Sequence, residues 1–279
     1  MRTKAGAAPS APAEDRIASM FEAARGRNEA ALVAYVMGGD PDLATSRAAA
    51  LACAEAGADL LEIGMPFSDP IADGPTIQRA AERALAAGTT VADCLALAAA
   101  VRARSSARVA LMGYVNPVLS YGLERFFADA AAAGVDAVIL PDVPPEEAGD
   151  IRALAGAAGV KTVCLLAPTS TPARRRAAGE AATGFLYFVS VTGVTGARKA
   201  LPPDLAAQVA EVRAASPVPV VVGFGVGSPG QAREVARIAD GVVVGSAIVS
   251  RLAGEGSRRE RLARVRTFVR SLKRAMRRS

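Results

Sequence analysis

Three acidic side chains lie in the stretch from residue 60 to residue 78, LLEIGMPFSDPIADGPTIQ, and two of them could form a pair. Glu62 lies inside an apolar run, and Asp73 lies in the proline-rich loop behind it. Burial without a cation raises the pKa of a carboxyl group and lets it exchange protons near neutrality. Two carboxylates in one site can also divide roles, one exchanging protons while the other stays ionised. Because the chain contains no histidine, this pair is the first candidate for acid–base chemistry.

Both carboxylates also have a purely structural interpretation. Glu62 could be held by a nearby arginine or a helix terminus, and Asp69 and Asp73 could cap turns or bind magnesium. Three prolines restrict the backbone of the loop, and Gly74 permits a tight turn. The loop can therefore hold a fixed shape over the end of the strand that carries Glu62, which favours a functional site.

A group of glycines could hold an anion. They cluster in VTGVTG, GFGVG and VGSAI, each after an apolar run. A single glycine there indicates only a turn, but three such clusters let backbone N–H groups approach a ligand closely. Ser246 opens a short helix after the last run, where unpaired N–H groups and the helix dipole favour an anion. The pattern predicts a phosphate site, and its glycines are Gly193, Gly196, Gly223, Gly225, Gly227 and Gly245.

Eight short apolar runs alternate with Ala-rich segments of helical periodicity. Near-continuous apolar strands between helices indicate a parallel sheet whose outer face is covered by the helices. Eight such units favour a closed barrel over an open doubly wound sheet, with the site at the carboxyl ends of the strands. No GxGxxG follows an early strand, so a dinucleotide site is not favoured. The predicted strands span residues 31–39, 58–64, 108–115, 136–143, 161–168, 184–191, 218–226 and 240–249.

Composition and charge narrow the class of protein. The chain has 279 residues, and no apolar run in it is long enough to cross a bilayer. The prolines near its start do not suit a signal peptide, so we expect a soluble cytoplasmic protein. The net charge of +6 comes from residues 258–279, with ten Lys or Arg and one Glu. The rest of the chain is mildly acidic, which argues against nucleic-acid binding.

The two ends of the chain differ from its middle. Residues 1–14 are rich in Ala and Pro and are predicted to be a disordered leader. Residues 15–279 are predicted to form one α/β domain, a (β/α)8 TIM barrel with an extra N-terminal helix. The domain closes with a basic amphipathic helix, whose charged side either faces water or contacts an acidic partner or a membrane surface. The three cysteines are too far apart in sequence for a short-spaced zinc site.

Several stretches taken together resemble the tryptophan synthase alpha subunit family over about residues 15 to 255. They are LLEIGMPFSDPIADGPTIQ, LPDVPPEE, LYFVSVTGVTG, GFGVGSP and VGSAIV. The resemblance implies a lyase that splits indole-3-glycerol phosphate into indole and glyceraldehyde 3-phosphate by a retro-aldol step. It also implies that no metal or organic cofactor is needed. The implied partner is a beta subunit, in an alpha2beta2 assembly.

The resemblance also implies roles for individual residues. Glu62 matches the catalytic glutamate that moves protons between the glycerol hydroxyl and C3 of the indole ring. Asp73 matches the aspartate that accepts the indole N–H and stabilises the positive charge on the ring. Asp69 matches a residue that signals to the beta subunit.

The remaining matches concern substrate binding. Tyr35 and Tyr187 match positions that line the indole pocket, and Phe224 is expected to pack on the ring or the propanol chain. Thr195 matches a loop threonine that closes over the substrate toward Asp73. The positions that match the phosphate site are Gly196, Gly225, Gly245 and Ser246.

The chain departs from the family pattern in its lid, and alternatives to the two-subunit enzyme stay open. Val191 and Thr192 stand where some members carry arginine, which leaves the partner contacts of the lid undetermined. Tyr114 is a further candidate for a pocket wall. A stand-alone indole-releasing lyase and a mainly regulatory binding subunit are alternatives. A proton-shuttling glutamate would serve no purpose in a regulatory subunit, whereas loop differences alone separate the two enzymes.

Overall fold

The structure is a computed structural model that describes residues 15–189, 201–223 and 225–278. Eight parallel strands form a closed barrel in chain order, and the last strand pairs with the first. This arrangement confirms the predicted TIM barrel. The strands are β1 (Ala31–Met37), β2 (Leu60–Gly64), β3 (Arg108–Met112), β4 (Ala137–Ile139), β5 (Lys161–Leu166), β6 (Leu186–Val189), β7 (Val220–Gly223) and β8 (Gly241–Val244).

The strands are shorter than their apolar runs. The run at 136–143 contains a strand of three residues, because Pro141 has no N–H to donate to a neighbouring strand. In the run at 240–249 the strand stops before Gly245, and the apolar residues beyond it begin a helix. A continuous apolar run does not distinguish a buried strand from the buried helix that follows it.

Twelve helices occur among the described residues, and eleven of them lie between or after the strands, where eight were expected. One precedes the barrel, and the segments after β2, β3 and β8 each contain two. A glycine with positive φ lies between the two helices of each of these segments: Gly88 at +77°, Gly122 at +97° and Gly256 at +101°. The helices are α1 (Arg16–Gly26), α2 (Leu43–Glu55), α3 (Pro75–Ala86), α4 (Val91–Arg102), α5 (Val115–Tyr121), α6 (Leu123–Ala132), α7 (Gly149–Ala157), α8 (Pro172–Ala181), α9 (Leu205–Ala214), α10 (Pro229–Ile238), α11 (Ser246–Ala253) and α12 (Arg258–Ala275).

Alternation along the strands separates two apolar clusters. Leu61 and Ile63 of β2 belong to the cluster between barrel and helices, whereas Leu60 belongs to the cluster inside the barrel. Helix α1 adds to the inner cluster, where the ring of Phe21 packs edge-on against Phe185 with the ring centroids 5.9 Å apart. The inner cluster supports a rigid barrel whose opposite end can carry a site.

A repeated hydrogen bond ties the strands together at their amino ends. Asp59, Asp136 and Asp240 stand just before β2, β4 and β8, and each accepts an N–H from the preceding strand at 2.7, 2.8 and 3.0 Å. Before β6, the hydroxyl of Thr183 accepts the equivalent N–H from β5 at 2.8 Å. Just before each of the four even-numbered strands, a side chain therefore accepts a backbone N–H near the start of the preceding strand.

Helix α12 packs its apolar side against the barrel layer. Val265, Val269 and Leu272 are buried there. Several basic residues bind carbonyl oxygens at helix ends: Arg261 donates to the last turn of α11, and Arg278 donates to two carbonyls at the end of α10. Part of the positive charge that is concentrated in this segment therefore serves packing within the chain. The predicted leader, residues 1–14, lies outside the described residues.

Of the helices in the described part of the chain, none alone has the length and apolar composition that a membrane crossing requires. Only α3 and α4 reach that composition together, and they are bent by 104° relative to each other.

Candidate active site

Glu62 lies on the inner face of the barrel because of its position in β2. Its neighbours Leu61 and Ile63 face the helices, so the alternation of a strand turns Glu62 inward. The side chain lies near the carboxyl end of β2 and is 2% exposed. The sequence predicted this orientation, and the structure confirms it.

Glu62 and Asp73 line the same cavity, whose empty space, including the part open to solvent, is about 460 Å³. The cavity opens at the carboxyl ends of the strands, where the fold is expected to place its site. Most of the remaining lining is apolar or aromatic, as in pockets that hold a ring. The lining residues are Tyr35, Glu62, Asp73, Ile77, Met112, Tyr187, Gly225, Val226, Val243, Gly245 and Ser246.

The carboxyl group of Glu62 has an unsatisfied oxygen. Its Oε2 atom is fully buried and has no hydrogen-bond partner among the described residues. Burial, and secondarily the negative charge of Asp73, raises the pKa of Glu62 to about 8. A carboxyl group in this state is protonated at neutral pH and can both donate a proton and take one back.

Asp73 is buried on the loop between β2 and α3 and is more firmly held. Its backbone N–H donates to the carbonyl of Pro70 at 3.1 Å, and its carbonyl accepts from the side chain of Gln78 at 2.9 Å. The hydroxyl of Tyr114 donates to its Oδ2 atom at 3.1 Å. Burial raises the pKa of Asp73 to about 6, and the hydrogen bond from Tyr114 opposes that rise. At neutral pH Asp73 is therefore mainly ionised while Glu62 is protonated.

Two tyrosine rings occupy the floor of the cavity above glycines. A Cβ atom on Gly64 would lie 2.1 Å from the hydroxyl oxygen of Tyr35, and a Cβ atom on Gly223 would lie 2.5 Å from that of Tyr187. Each strand therefore needs glycine at this position for the ring to fit. Burial, together with the charges of Glu62 and Asp73, raises the pKa of both phenols well above the ordinary value, so they stay protonated.

The opposite wall of the cavity is built from backbone. Gly225 has a φ of +96° and open space where a side chain would project, and Gly245 immediately precedes α11. Ser246 is the first residue of that helix, whose first N–H groups lack partners within the helix. The lining residues within the described ranges include no Lys or Arg. An anion here would be held by N–H groups and the helix dipole.

The structure brings most of the predicted site residues together. Thr195, Gly196 and Phe224 lie outside the described residues, as do Val191 and Thr192 of the proposed lid. Asp69 does not line the cavity; it is exposed on the loop, where the hydroxyl of Ser68 donates to it at 2.5 Å.

Sequence reasoning missed four apolar lining residues, Ile77, Met112, Val226 and Val243. Met112 ends β3 and Ile77 lies in the first turn of α3, positions that a search of strand ends and helix starts would have found. Tyr114 is buried beside the cavity but does not line it. Its contact is with Asp73, which no sequence pattern indicated.

Within residues 15–189, 201–223 and 225–278, no group of three or more Cys, Asp or Glu side chains is arranged to hold a metal ion. The interpretation of the 66–75 loop as a magnesium site therefore has no support in this part of the chain. That the reaction needs no cofactor stays a prediction.

An eight-stranded barrel with two buried carboxyl groups on one cavity at its mouth defines a class, the TIM-barrel enzymes. Comparison with known proteins narrows the class. A family model described as "Tryptophan synthase alpha chain" matches residues 21–277. The chain therefore belongs to the tryptophan synthase alpha chain family.

Individual relatives agree with the family model. The tryptophan synthase alpha chain of Citrifermentans bemidjiense is 53% identical over 84% of this chain and 88% of its own length. The tryptophan synthase alpha chain of Geobacter sulfurreducens is 51% identical over 94% of this chain and 98% of its own length. A solved structure of Mycobacterium tuberculosis tryptophan synthase superposes with a TM-score of 0.88 at 42% identity, covering 95% of this chain and 99% of its own.

Proposed function

We propose that this chain cleaves indole-3-glycerol phosphate into indole and glyceraldehyde 3-phosphate, with Glu62 and Asp73 as its catalytic residues. It is a carbon–carbon lyase, the alpha subunit of tryptophan synthase, and it works with a beta subunit in an alpha2beta2 complex. Membership of the family supports this activity. The observation that carries the assignment of residues is the pair of buried carboxyl groups on one cavity, with pKa values raised to about 8 and about 6.

The reaction requires one proton to enter and one to leave. Glu62 is protonated at neutral pH and donates its proton to C3 of the indole ring, which makes the ring nitrogen cationic. The resulting carboxylate accepts the proton of the hydroxyl on the carbon attached to C3. The bond between that carbon and C3 then breaks, its electrons return to the ring, and the hydroxyl carbon becomes the aldehyde. Glu62 ends the cycle protonated, so a single residue serves as both acid and base.

Asp73 stabilises the cation that forms between the two proton transfers. Its carboxylate is ionised at neutral pH and lies in a site closed to most solvent, where a fixed negative charge acts strongly on developing positive charge. The indole N–H donates to it in the bound substrate. With Glu62 neutral and Asp73 ionised, the two carboxyl groups carry one negative charge between them instead of two, which limits the cost of burying both groups.

The rest of the cavity binds and orients the substrate. Tyr35 and Tyr187 contact the indole ring, together with Phe224. The phosphate lies against the N–H groups at Gly225 and Gly245 and at the start of α11. The other residues proposed for this end are Gly196 and Ser246.

Two loop residues have proposed roles beyond binding. Thr195 closes over the bound substrate and reaches toward Asp73, which would exclude water during bond cleavage. Asp69 carries a signal to the beta subunit, and its exposure on the same loop as Asp73 is consistent with a contact outside the cavity. We also propose that the protein acts in the cytoplasm, since its doubly charged substrate does not cross membranes.

The test measures indole release from indole-3-glycerol phosphate by the purified chain, with and without a tryptophan synthase beta subunit. We expect slow release by the chain alone and strong activation by the partner. A high rate without any partner would instead favour the stand-alone lyase. No indole under either condition would rule out the lyase activity.

A further inference from the structure

We propose that Tyr114 is a positioning residue for Asp73, whose carboxylate it holds ionised and in a fixed orientation beside Glu62. This inference rests on the proposed function, because it explains how one of the two buried carboxyl groups is kept as the anion. It depends on geometry at three points: the hydroxyl of Tyr114, the loop that carries Asp73, and the aromatic packing that fixes the tyrosine ring.

The hydroxyl of Tyr114 has its acceptor side occupied by the backbone. The N–H of Ala72 donates to the hydroxyl oxygen at 3.0 Å, and the hydroxyl lies 3.1 Å from Oδ2 of Asp73. A phenol has one proton to donate. With a donor already on its oxygen, the hydroxyl directs that proton at the carboxylate. The arrangement favours an acceptor at Oδ2, which is the ionised form of Asp73.

The ring that carries this hydroxyl is fixed independently of it. Tyr114 is 2% exposed, and its ring packs against Phe67 with the centroids 5.3 Å apart. The next residue, Val115, begins α5, and its N–H donates to both carboxylate oxygens of Asp142 at 3.1 Å. The segment after β3 is thus held both by the contact with Phe67 and by the hydrogen bonds to Asp142. These contacts fix the position of the Tyr114 hydroxyl independently of its bond to Asp73.

The backbone of Asp73 is also held without Tyr114, through the contacts with Pro70 and Gln78. Removal of the hydroxyl should therefore leave the loop in place and act on the carboxylate. Glu62 differs in this respect, since no donor within the described ranges reaches its Oε2 atom. The hydrogen bond from Tyr114 thus favours the anion at Asp73, whereas deeper burial and the charge of Asp73 favour the protonated form of Glu62.

The groups that interact electrostatically with Asp73 come from four strands or strand ends, and one further acid acts on Tyr114. They are Tyr35 on β1, Glu62 on β2, Tyr114 after β3, Tyr187 on β6 and, toward Tyr114, Asp142 after β4. The phenols stay protonated, because burial and these negative charges raise their pKa values. Glu62 is therefore the group whose ionisation competes with that of Asp73 near neutrality.

The decisive variant is Tyr114→Phe, which keeps the ring against Phe67 and removes only the hydroxyl. We expect the pKa of Asp73 to rise, so that the acid limb of the kcat/KM profile moves up by about one pH unit, with a loss of about tenfold at the acid end. The phosphate of the substrate also titrates near pH 6, but it is the same for both enzymes. A shift between them therefore reports on the protein.

Tyr121→Phe is the matched control. The hydroxyl of Tyr121 donates to Asp129 at 2.6 Å away from the cavity, so the same chemical change there should leave the profile unaltered. A second comparison places Tyr114→Phe in an Asp73→Asn background. The loss caused by Tyr114→Phe should disappear there, because its target is already neutral.

A measurement without substrate separates this inference from the proposed function. The side-chain carboxyl carbon of Asp73 is titrated by 13C NMR in the free protein, with Asp73→Asn to assign the signal. We expect its midpoint to be higher in Tyr114→Phe than in the wild type. An unchanged midpoint and acid limb would overturn the positioning role even if the wild type releases indole. If the wild type releases none, the proposed activity fails, while the NMR titration still decides the role of Tyr114.

Discussion

The pKa values of buried glutamates shift in opposite directions at the two ends of the barrel. At the amino ends of the strands, Glu29 is bound by Lys273 at 3.0 Å and by Arg27 and Arg277 at 3.1 Å. Burial raises the pKa of Glu29, but these partners outweigh it and the net pKa is lowered. At the carboxyl ends, burial raises the pKa of Glu62 to about 8 because no cation compensates it. Glu29 has three cationic partners, whereas the described lining of the cavity around Glu62 includes no Lys or Arg.

The comparison separates carboxylates that are paired with cations from buried carboxyl groups that are not. Asp59 is bound by Lys273 at 2.6 Å and Arg27 at 2.8 Å and also accepts a backbone N–H. Asp136 is intermediate, because burial raises its pKa although Val109 and Arg16 contact it. Paired groups of this kind hold strands in register, whereas an unpaired buried acid is tolerated where proton transfer requires it.

The largest expected effect comes from Glu62→Gln, which keeps the shape of the side chain and removes its proton chemistry. We expect kcat to fall by about a thousandfold or more, since general acid–base catalysis contributes ~10²–10⁴. Phosphate affinity should change little, because the proposed anion site is on the other wall. Steady-state kinetics and binding of inorganic phosphate check both statements. A variant with a near-normal rate would remove Glu62 from the mechanism.

Asp73→Asn should have the next largest effect. Loss of the negative charge removes stabilisation of the cationic ring, and we expect kcat/KM to fall by roughly a hundredfold. The fold should remain, because the backbone contacts of residue 73 do not involve the carboxylate. Circular dichroism checks the fold beside the kinetics. Unchanged kinetics would show that Asp73 is only a turn residue.

The pH dependence gives a further contrast between the ends. The folded-state pKa of Glu62, about 8, lies above the ordinary value of 4.5. The folded state therefore binds the proton of Glu62 more tightly than the unfolded state does. The stability that this adds is fully present below the unfolded pKa and is lost as pH rises through the folded pKa. The same ionisation removes the proton donor, so kcat/KM should fall about tenfold per pH unit above about pH 8. In Glu62→Gln, urea unfolding should depend less on pH over this range, and an identical dependence would contradict the assignment.

The smallest effects on activity are expected at the amino ends. Asp59→Ala removes the partner of two cations and of a backbone N–H, and we expect the free energy of unfolding to fall by about 2 kcal/mol with kcat unchanged. Glu55→Ala is the matched control, because it removes an exposed pair with Arg266, worth ~0–1 kcal/mol. Urea denaturation of both variants checks the difference. A large loss of kcat in Asp59→Ala without a loss of stability would contradict the claim that carboxylates at the amino ends act on stability alone.

Much of the architecture could be predicted from local patterns. Alternating apolar runs and Ala-rich helices indicated the barrel, and the alternation at Leu61, Glu62 and Ile63 indicated which way Glu62 points. Boundaries were less accessible, as at Pro141 and Gly245, since an apolar run does not record where a strand stops. The second helices after β2 and β3 depend on glycines that the repeat pattern treated as ordinary turns.

The sequence by itself determined the barrel, the family and the two acids of the 60–78 stretch, because these depend on periodicity and on motifs that are contiguous in the chain; the glycine-rich anion site stays a prediction. Only the tertiary structure decided how the two acids differ. Tyr114 is 41 residues from Asp73 in the chain yet within hydrogen-bond distance of it, whereas no donor among the described residues reaches the buried Oε2 atom of Glu62. The pKa of a side chain depends on its neighbours in space, and the closed barrel determines which residues those neighbours are.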